Sequence, residues 1–143
     1  MKTSVVQTIP TTDRKWWLFN ANDAILGNLA VEVANRLRGR HKEFFSNSGD
    51  IGDYVVVTNA SKVRVTGNKE DTKMYRKHSG YRGLKEFTFL EVRERDPSRI
   101  IFDAVRGMLP KNKLSRNLIS RLRVFPEGDH EHESQQPEEV VLK

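Results

Sequence analysis

Two small sets of side chains have residue types and spacings that chemistry could use. Asp50 and Asp53 form a carboxylate pair that, with His78, could serve an α/β enzyme acting on RNA or nucleotides. His130 and His132 lie two residues apart and could approach one metal ion. Turn and capping roles suffice for the aspartates, however, and no third ligand is fixed near the histidines. We therefore expect neither a catalytic site nor a metal site.

Other catalytic signatures are missing from the sequence. The chain has no cysteine, which excludes a thiol nucleophile, a disulfide framework and a thiolate metal site. It contains no Gly-x-Ser-x-Gly elbow and no phosphate loop of the Walker type. The glycines of residues 49–53 precede a predicted strand, whereas a dinucleotide-binding loop follows one. The sequence thus predicts a protein that is not an enzyme and uses no cofactor.

The distribution of charge favours a polyanionic partner. The chain has 143 residues, which suits one domain, and a formal net charge of +6. Residues 1–61 are nearly neutral, residues 62–123 carry a net charge of +10, and residues 124–143 carry −5. A basic block of this kind binds nucleic acid because each neutralised phosphate releases condensed counterions. We expect the acidic end to avoid phosphates or to meet a basic protein.

Three basic segments, 36–42, 69–85 and 106–123, are the candidate RNA-binding regions. In the second segment the cations alternate with aromatic rings, which suits RNA because phosphates attract Lys and Arg while bases and riboses pack on flat surfaces. The predicted RNA-binding residues are Arg36, Arg38, Arg40, His41, Lys42, Lys69, Lys73, Tyr75, Arg76, Lys77, His78, Tyr81, Arg82, Lys85, Arg106, Lys111, Lys113, Arg116, Arg121 and Arg123.

Apolar patterns place these segments on an α/β framework. Residues 16–19 and 122–125 are short β-prone runs, and residues 62–65 alternate like an edge strand with its cations outward. Residues 54–57 are continuously apolar, so we expect a strand buried on both faces, as in a parallel sheet covered by helices. Residues 69–85, with two glycines among polar side chains, are predicted to form a loop.

Helical periodicity accounts for most of the remaining apolar residues. It predicts a helix over residues 24–38, ended by Gly39, and a short helix through Phe87, Leu90 and Val92. Pro97 opens a further helix.

The break at Pro110 divides the last basic segment. We expect Met108 and Leu109 to face the core before Pro110 ends the helix, and another helix to follow from Leu114 to Leu122. Lys111, Lys113 and Arg116 would then be presented from a turn that core residues anchor on both sides.

The predicted organisation is a single α/β domain at residues 14–125, with an N-terminal arm at 1–13 and a polar acidic tail at 126–143. No apolar run approaches the ~20 residues of a membrane span. The first fifteen residues lack the apolar stretch of a secretory signal. We therefore expect the protein to act in the cytoplasm, or in an organelle that makes its own proteins.

Eight short stretches occur in the order found in one protein family. The most specific is Gly-Met-Leu-Pro within residues 105–110, followed by the basic helix. The others are Lys-Trp-Trp at 15–17, Leu-Gly-Asn-Leu-Ala at 26–30, Leu-Arg-Gly-Arg-His-Lys at 37–42, Gly-Asp-Tyr-Val-Val-Val-Thr-Asn-Ala at 52–60, Val-Thr-Gly-Asn-Lys at 65–69, His-Ser-Gly-Tyr at 78–81 and Gln-Gln-Pro at 135–137. Together they resemble the bacterial-type large-subunit ribosomal protein thirteen family (universal L-thirteen).

That resemblance implies both a fold and a role. It implies a three-layer α/β/α domain around a mainly parallel four-stranded sheet, with basic loops. It also implies a structural constituent of the large ribosomal subunit, without catalytic activity, that binds large-subunit rRNA near its 5′ region early in assembly and stabilises the RNA fold. The implied partners are that rRNA and neighbouring large-subunit proteins; a membrane, a small-molecule substrate and a second copy of the chain are not expected.

The sequence departs from the family pattern at a few positions. Asn28 replaces a usual arginine, residues 82–85 are one residue shorter than the corresponding family loop, and Asn112 and Ser115 replace frequent glycines. Two other functions stay open at this point, namely an α/β enzyme acting on RNA or nucleotides and an RNA-binding regulator outside the ribosome.

Overall fold

A four-stranded sheet whose strands all run parallel forms the centre of the protein. The computed structural model describes residues 8–142, so most of the predicted N-terminal arm lies outside the described residues. The strands of this sheet are β1 (Trp16–Asn20), β2 (Tyr54–Thr58), β5 (Leu122–Val124) and β6 (Glu138–Val140), and a separate two-stranded sheet consists of β3 (Met74–His78) and β4 (Leu84–Thr88). The helices are α1 (Leu26–Arg38), α2 (Lys69–Thr72), α3 (Phe89–Arg95), α4 (Pro97–Met108) and α5 (Leu114–Ile119).

The central sheet has the spatial order β5-β2-β1-β6. Strand β2 lies inside it, paired with β1 along Trp16 to Asn20 and with β5 along Leu122 to Val124. Val55, Val56 and Val57 are all 0% exposed, which confirms that this strand is covered on both faces.

Helices α1, α4 and α5 cover one face of the sheet. Leu29, Val33 and Leu37 of α1 recur at helical spacing and are fully buried, because they pack against the sheet and α4. Helix α1 begins two residues later than predicted and ends as predicted, with Gly39 in the left-handed conformation at φ 77°.

Helix α4 begins at Pro97, and the Asp96 side chain accepts a hydrogen bond from the backbone N–H of Arg99, which confirms the predicted start. At its other end Leu109 is buried as expected. The prediction for Met108 was wrong, because this side chain is 40% exposed. Its spacing from Ile101 and Val105 keeps Met108 on the apolar stripe, but it is the last residue of α4 and the neighbouring elements leave it uncovered.

Residues 126–137 cover the second face of the sheet. The rings of Trp16 and Tyr54, neighbours on β1 and β2, stack 4.4 Å apart. His132 lies over this face, with its ring centroid 5.0 Å from Trp16 and 5.9 Å from Phe125. This layer consists of irregular chain and one 3-10 helix (Glu133–Gln135). The α/β fold with a parallel four-stranded sheet is therefore confirmed, and the last segment of the chain supplies part of its third layer.

The fourth strand of the sheet is not the one that alternation indicated. Residues 62–65 do not form a strand, because the chain there is a 3-10 helix (Ala60–Lys62) followed by a single bridge between Ile25 and Arg64. The fourth strand is β6, which pairs with β1 through Glu138, Glu139 and Val140. It lies within the segment that was predicted to be an acidic tail.

Residues 69–85 were predicted to form a loop, and that prediction was wrong. Strands β3 and β4 pair antiparallel, with Met74 opposite Thr88 at one end and His78 opposite Leu84 at the other. Helix α2 lies immediately before them in the chain. The predicted short helix exists as α3, but Phe87 belongs to β4. Thr88 separates the two elements through a capping box with Glu91. No described helix combines the length and the apolar character needed to cross a membrane.

Candidate nucleic-acid interface

The β3–β4 hairpin holds positive charges opposite each other. Lys77 and Lys85 are register partners and both are exposed, whereas the neighbouring cross-strand pair, Arg76 and Glu86, forms an ion pair at 2.6 Å. Like charges directly opposite on two strands destabilise the pairing. An arrangement that costs stability in the free protein is understandable if an external anion fills the space between the two ammonium groups.

The tip of the hairpin exposes flat rings and backbone. The Tyr81 side chain is 81% exposed, and Gly80 and Gly83 on either side of it have φ values of 83° and 91°. Positive φ favours glycine, so the sequence permits this turn without strain. The backbone N–H of Gly80 donates to Nδ1 of His78 at 3.0 Å, which fixes the imidazole at the base of the tip. Tyr81 and His78 thus have the exposure predicted for contacts with RNA.

Tyr75 is placed differently from the other predicted aromatic contacts. Its ring packs against the core, and its hydroxyl is buried without a hydrogen-bond partner among the described residues. Burial, and then the negative charge of Asp103, raise the pKa of Tyr75 to about 12 despite the opposing charge of Arg99. Lys73 lies 5.4 Å from the ring centroid, and burial lowers the pKa of this lysine, as does the nearby charge of Lys69. This placement argues for Tyr75 as a support of the hairpin.

A second cationic surface follows the end of α4. Arg106, Lys111, Lys113 and Arg116 are exposed around a groove of about 850 Å³, which also includes the apolar side chains of Phe102, Leu109 and Ile119. We call this the α4–α5 groove. Asp103, the acidic residue beside it, is engaged by Arg99 at 3.3 Å. The four cations therefore give the groove a net positive charge, and buried Leu109 and Leu118 anchor it on both sides as expected.

Residues 112–115 give this turn a definite shape without the family's glycines. The Asn112 side chain accepts a hydrogen bond from the backbone N–H of Ser115 at 3.0 Å, and the Ser115 hydroxyl donates to the Asn112 carbonyl at 2.7 Å. Such side-chain bonds are typical at the first turn of a helix. They hold the backbone that carries Lys111, Lys113 and Arg116.

The predicted segment at residues 36–42, at the end of α1, is split between outward and inward side chains. Arg40 is exposed, while the Arg36 guanidinium lies 4.2 Å from the ring centroid of Trp17 and Arg38 donates to Asn47 at 3.3 Å. Lys42 points inward, and its ammonium lies 2.6 Å from the buried carboxylate of Asp53.

Asp53 binds four donors from two parts of the chain. Besides Lys42 it accepts hydrogen bonds from His41 Nε2 at 3.0 Å, from Trp17 Nε1 at 3.1 Å and from the backbone N–H of Lys15 at 3.2 Å. Burial alone would raise the pKa of this carboxyl. The hydrogen bonds from His41, Lys42 and Trp17 outweigh burial, and they lower the pKa to about 2.

Asp50 forms a second ion-pair site, which is partly buried. Arg121 donates to both of its carboxylate oxygens, and Arg14 lies 3.2 Å from one of them. Burial opposes ionisation, but the bonds and charges of Arg121, followed by those of Arg14, lower the pKa of Asp50. Arg121 is only 9% exposed, so its guanidinium is occupied within the protein. The placement of Arg121 and Lys42 argues against direct phosphate contacts by either residue.

The two aspartates are therefore structural anions. Both stay ionised across the neutral range and are saturated by cations, which leaves no acid–base pair of the kind considered from the sequence. His78, the third member of that set, lies in the separate β3–β4 sheet. Within the described part of the chain, no three His, Asp or Glu side chains are grouped to hold a metal, and His130 and His132 pack against aromatic rings.

The predicted cations fall into two regions. The end of α1 and the α4–α5 groove meet where the sheet strands begin, since the backbone N–H of Asp53 bonds to Arg36 and Arg121 reaches Asp50. The hairpin forms the other region and rests on α2 and α3. Its exposed cations are Lys69, Arg76, Lys77, Arg82 and Lys85, while Arg123 is exposed on β5 and donates to the Ser120 carbonyl at 3.0 Å.

Sequence reasoning missed the basic residues of α3 and early α4. Arg95 and Arg99 line a hollow of about 680 Å³ together with Lys77 and Lys85 of the hairpin. The sequence does show a density of arginines at 93–99, which lies outside the three basic segments 36–42, 69–85 and 106–123. The hollow also contains Glu91 and Glu94, so its charge is mixed.

Comparison with known proteins agrees with the motif resemblance. The family model described as "Ribosomal protein L13" matches residues 14–131. A protein of Halorhodospira halophila named "Large ribosomal subunit protein uL13" is 50% identical over 130 residues, covering 90% of this chain and 92% of that protein. Proteins of the same name from Synechocystis sp. and Hahella chejuensis are each 47% identical, over 99% and 92% of this chain and 95% and 94% of their own lengths. The chain therefore belongs to the ribosomal protein L13 family, whose members are structural proteins rather than enzymes.

Proposed function

We propose that this protein is a structural constituent of the large ribosomal subunit that binds large-subunit rRNA. It joins the RNA early in assembly, near the 5′ region, and stabilises the RNA fold beside neighbouring large-subunit proteins. It acts where ribosomes act, in the cytoplasm or in an organelle that makes its own proteins. Family membership supports the ribosomal role, and the facing cations Lys77 and Lys85, which have no salt-bridge partner among the described residues, are the observation that carries RNA binding.

The two basic regions would act mainly by neutralising phosphates. Exposed cations of the hairpin and of the α4–α5 groove extend from backbone that hydrogen bonds or buried leucines hold in place, so little conformational freedom is lost on binding. Tyr81 and His78 at the hairpin tip would pack on riboses or unstacked bases. Because base edges in an RNA helix are hidden in a deep groove, most contacts would recognise RNA shape.

The direct contacts are fewer than the sequence indicated. We retain the exposed cations and assign supporting roles to Lys42, His41, Tyr75 and Arg121, whose functional groups are engaged or buried within the protein. Arg36 stacks on Trp17 and keeps only part of its guanidinium available.

The test is the salt dependence of binding to a fragment of the 5′ region of the rRNA. Each phosphate contact contributes about −0.7 to −0.9 to the slope of log K against log salt concentration. Replacing both lysines of the facing pair, Lys77→Gln with Lys85→Gln, should flatten the slope by about 1.5. The same change should leave stability equal or slightly higher, by up to ~0.5 kcal/mol, since a like-charge pair is removed. Lys62→Gln, at an exposed lysine outside the three segments, is the matched control.

An unchanged slope in the double variant would refute the phosphate role of the hairpin. A loss of stability would refute the view that the lysine pair is repulsive.

Lys111→Ala tests the α4–α5 groove separately. The side chain is exposed, so the thermal transition should stay in place while binding to the rRNA fragment weakens and the slope falls by about one contact. A variant that unfolds would show that Lys111 supports the fold. A variant with wild-type affinity would show that the groove does not face RNA.

Where the protein acts, and at which stage of assembly, is tested in cells by sedimentation of ribosomal particles. The protein should sediment in stoichiometric amounts with large subunits and should be present already in the lightest precursor particles. Recovery mainly in free fractions would favour an RNA-binding regulator outside the ribosome.

A further inference from the structure

One side of the central sheet ends at an apolar groove. Strand β6 and the adjoining side of α1 enclose a space of about 360 Å³ between Val31 of the helix and Val140, Val141 and Leu142 at the end of the strand. We call this the β6–α1 groove. Asn28, Glu32 and Arg36 of α1 complete its rim.

The backbone along this groove has an unused edge. Strand β6 pairs with β1 on one side, and within residues 8–142 no strand pairs with its other side. An edge strand offers unpaired N–H and C=O groups to any extended chain that reaches it. Adding a strand at such an edge is a common way to bind a peptide.

The apolar side chains beside the edge are exposed on both walls of the groove. Val31 is 46% exposed and Val141 is 83% exposed. Single exposed valines are ordinary on a protein surface. Two that face each other across a groove, next to an unpaired backbone edge, provide a place for an apolar side chain of an added strand.

The charge of the groove selects the partner. Glu32 is exposed on the rim of the groove, and Glu138 and Glu139 are exposed on β6; among the described residues, only Glu138 of these three has a cation within salt-bridge distance, Lys15 at 3.5 Å. Arg36, the cation on the rim, lies over the Trp17 ring, 4.2 Å from its centroid. The segment from residue 124 onwards carries a net charge of −5. Phosphates would be repelled from this edge, whereas lysine and arginine side chains would be attracted.

We propose that the β6–α1 groove binds an extended segment of another protein, rich in lysine and arginine, which pairs with β6 as a fifth strand. An apolar side chain of that segment lies between Val31 and Val141 on the α1 side of the sheet, and the cations that flank it point to the opposite face, where they meet Glu139. Such a short segment buries far less than the ~1,600 Å² of a standard interface. The contact is therefore weak by itself and forms when an assembly holds both proteins close together. The inference is independent of rRNA binding, since it concerns the surface of opposite charge.

The probe is a peptide titrated into the full-length protein and followed by backbone NMR. The acetylated and amidated heptapeptide Lys-Val-Lys-Val-Lys-Val-Lys should shift resonances at 31–32 and 138–142 and leave the hairpin unchanged. A peptide of equal charge, Lys-Pro-Lys-Val-Lys-Pro-Lys, lacks two backbone donors and should bind about tenfold more weakly. Equal binding of the two peptides would overturn strand addition and leave only charge attraction.

Matched glutamate variants locate the site. Glu139→Gln should weaken binding of the first peptide by about threefold, while Glu131→Gln, an exposed acidic residue outside the groove, should not change it. Equal effects of the two variants would overturn the assignment to this groove. Shifts at 138–142 caused by an rRNA fragment would overturn the choice of a protein partner. Tighter peptide binding after deletion of residues 1–7 would overturn it as well, because the chain's own N-terminus would then compete for the edge.

Discussion

The buried carboxylate of Asp53 offers the most direct test of how the basic end of α1 is held. The side chain is 0% exposed and binds Lys42, His41, Trp17 and the backbone of Lys15. In Asp53→Asn the shape is kept and the negative charge is lost. The ammonium of Lys42, 13% exposed, then has no anionic partner among the described residues and keeps the carbonyl of Ile51 at 2.9 Å. Removing one member of a buried ion pair costs about 3 kcal/mol or more, so the variant should be less stable than the wild type but still folded.

The pH dependence follows from the lowered pKa. The carboxyl has a pKa of about 2 in the folded protein and an ordinary value of 3.8. A difference of this size corresponds to about 2 kcal/mol of stability. Because the folded-state pKa is the lower one, this stability is fully present above about pH 5 and is lost as the pH falls toward 2. The pKa of Asp50 is also lowered, so protonation of Asp50 reduces the stability of the protein in the same direction as the pH falls. Asp50 is present in both proteins, so this effect is common to the wild type and the variant.

The assay is urea denaturation of wild type and Asp53→Asn at several pH values from 6 to 3. The difference between their free energies of unfolding should be about 3 kcal/mol at pH 6 and should shrink by about 1 kcal/mol at pH 3. Asp23→Asn, at an exposed position with φ 55° that asparagine accepts, should differ little from wild type at any pH. If the difference for Asp53→Asn stays constant within ~0.3 kcal/mol over this range, Asp53 does not titrate below its ordinary pKa and the reasoning is refuted.

Two further substitutions test the core. Val56→Asp places an unpaired charge in a strand that is covered on both faces, which costs several kcal/mol. The free energy of unfolding of a typical domain is only about 5–15 kcal/mol, so circular dichroism should show an unfolded chain. Val31→Asp, at an exposed position, should stay folded. Gly52→Ala would bring a Cβ to 1.6 Å from the Leu37 carbonyl oxygen, so the melting temperature should fall sharply. Gly27→Ala, in open space within α1, should raise stability by up to ~1 kcal/mol. A folded Val56→Asp protein, or an unchanged transition for Gly52→Ala, would contradict the packing described here.

Elements whose signal is local could be predicted from the sequence. Helices α1 and α4 were found because their buried residues recur at helical spacing and because Gly39, Asp96 and Pro97 mark their ends. Strand β2 was found because three valines in succession are consistent with burial on both faces. In each case the residues that form the element also carry the signal.

Elements that depend on distant partners could not be predicted in this way. Strand β6 has only three residues, two of them glutamates, and is a strand because β1 lies beside it. Residues 62–65 alternate correctly, yet within residues 8–142 no strand runs alongside them, and Arg64 alone makes a bridge there, to Ile25. His132 covers the sheet through contacts with Trp16 and Phe125, which no spacing in the sequence indicates.

The candidate site shows the same limit for individual side chains. Composition located the basic segments, but it could not separate Lys77, which faces another lysine, from Arg121, which faces Asp50. The two members of that ion pair are 71 residues apart in the chain, so only the fold reveals that the arginine is occupied.

These inward and outward cations have complementary tasks. Lys42 and Arg121 neutralise Asp53 and Asp50 where the sheet strands begin, and so connect the end of α1, the start of β2 and the start of β5. Lys111, Lys113 and Arg116 remain exposed on a turn held by Leu109 and Leu118. The buried pairs fix the backbone from which the exposed cations extend, so an anion meets charges whose positions are already set. Asp53→Asn should therefore weaken RNA binding through the end of α1, although a carboxylate itself repels phosphate. A variant that bound RNA more tightly would show that losing the negative charge matters more than losing the fixed position of the cations.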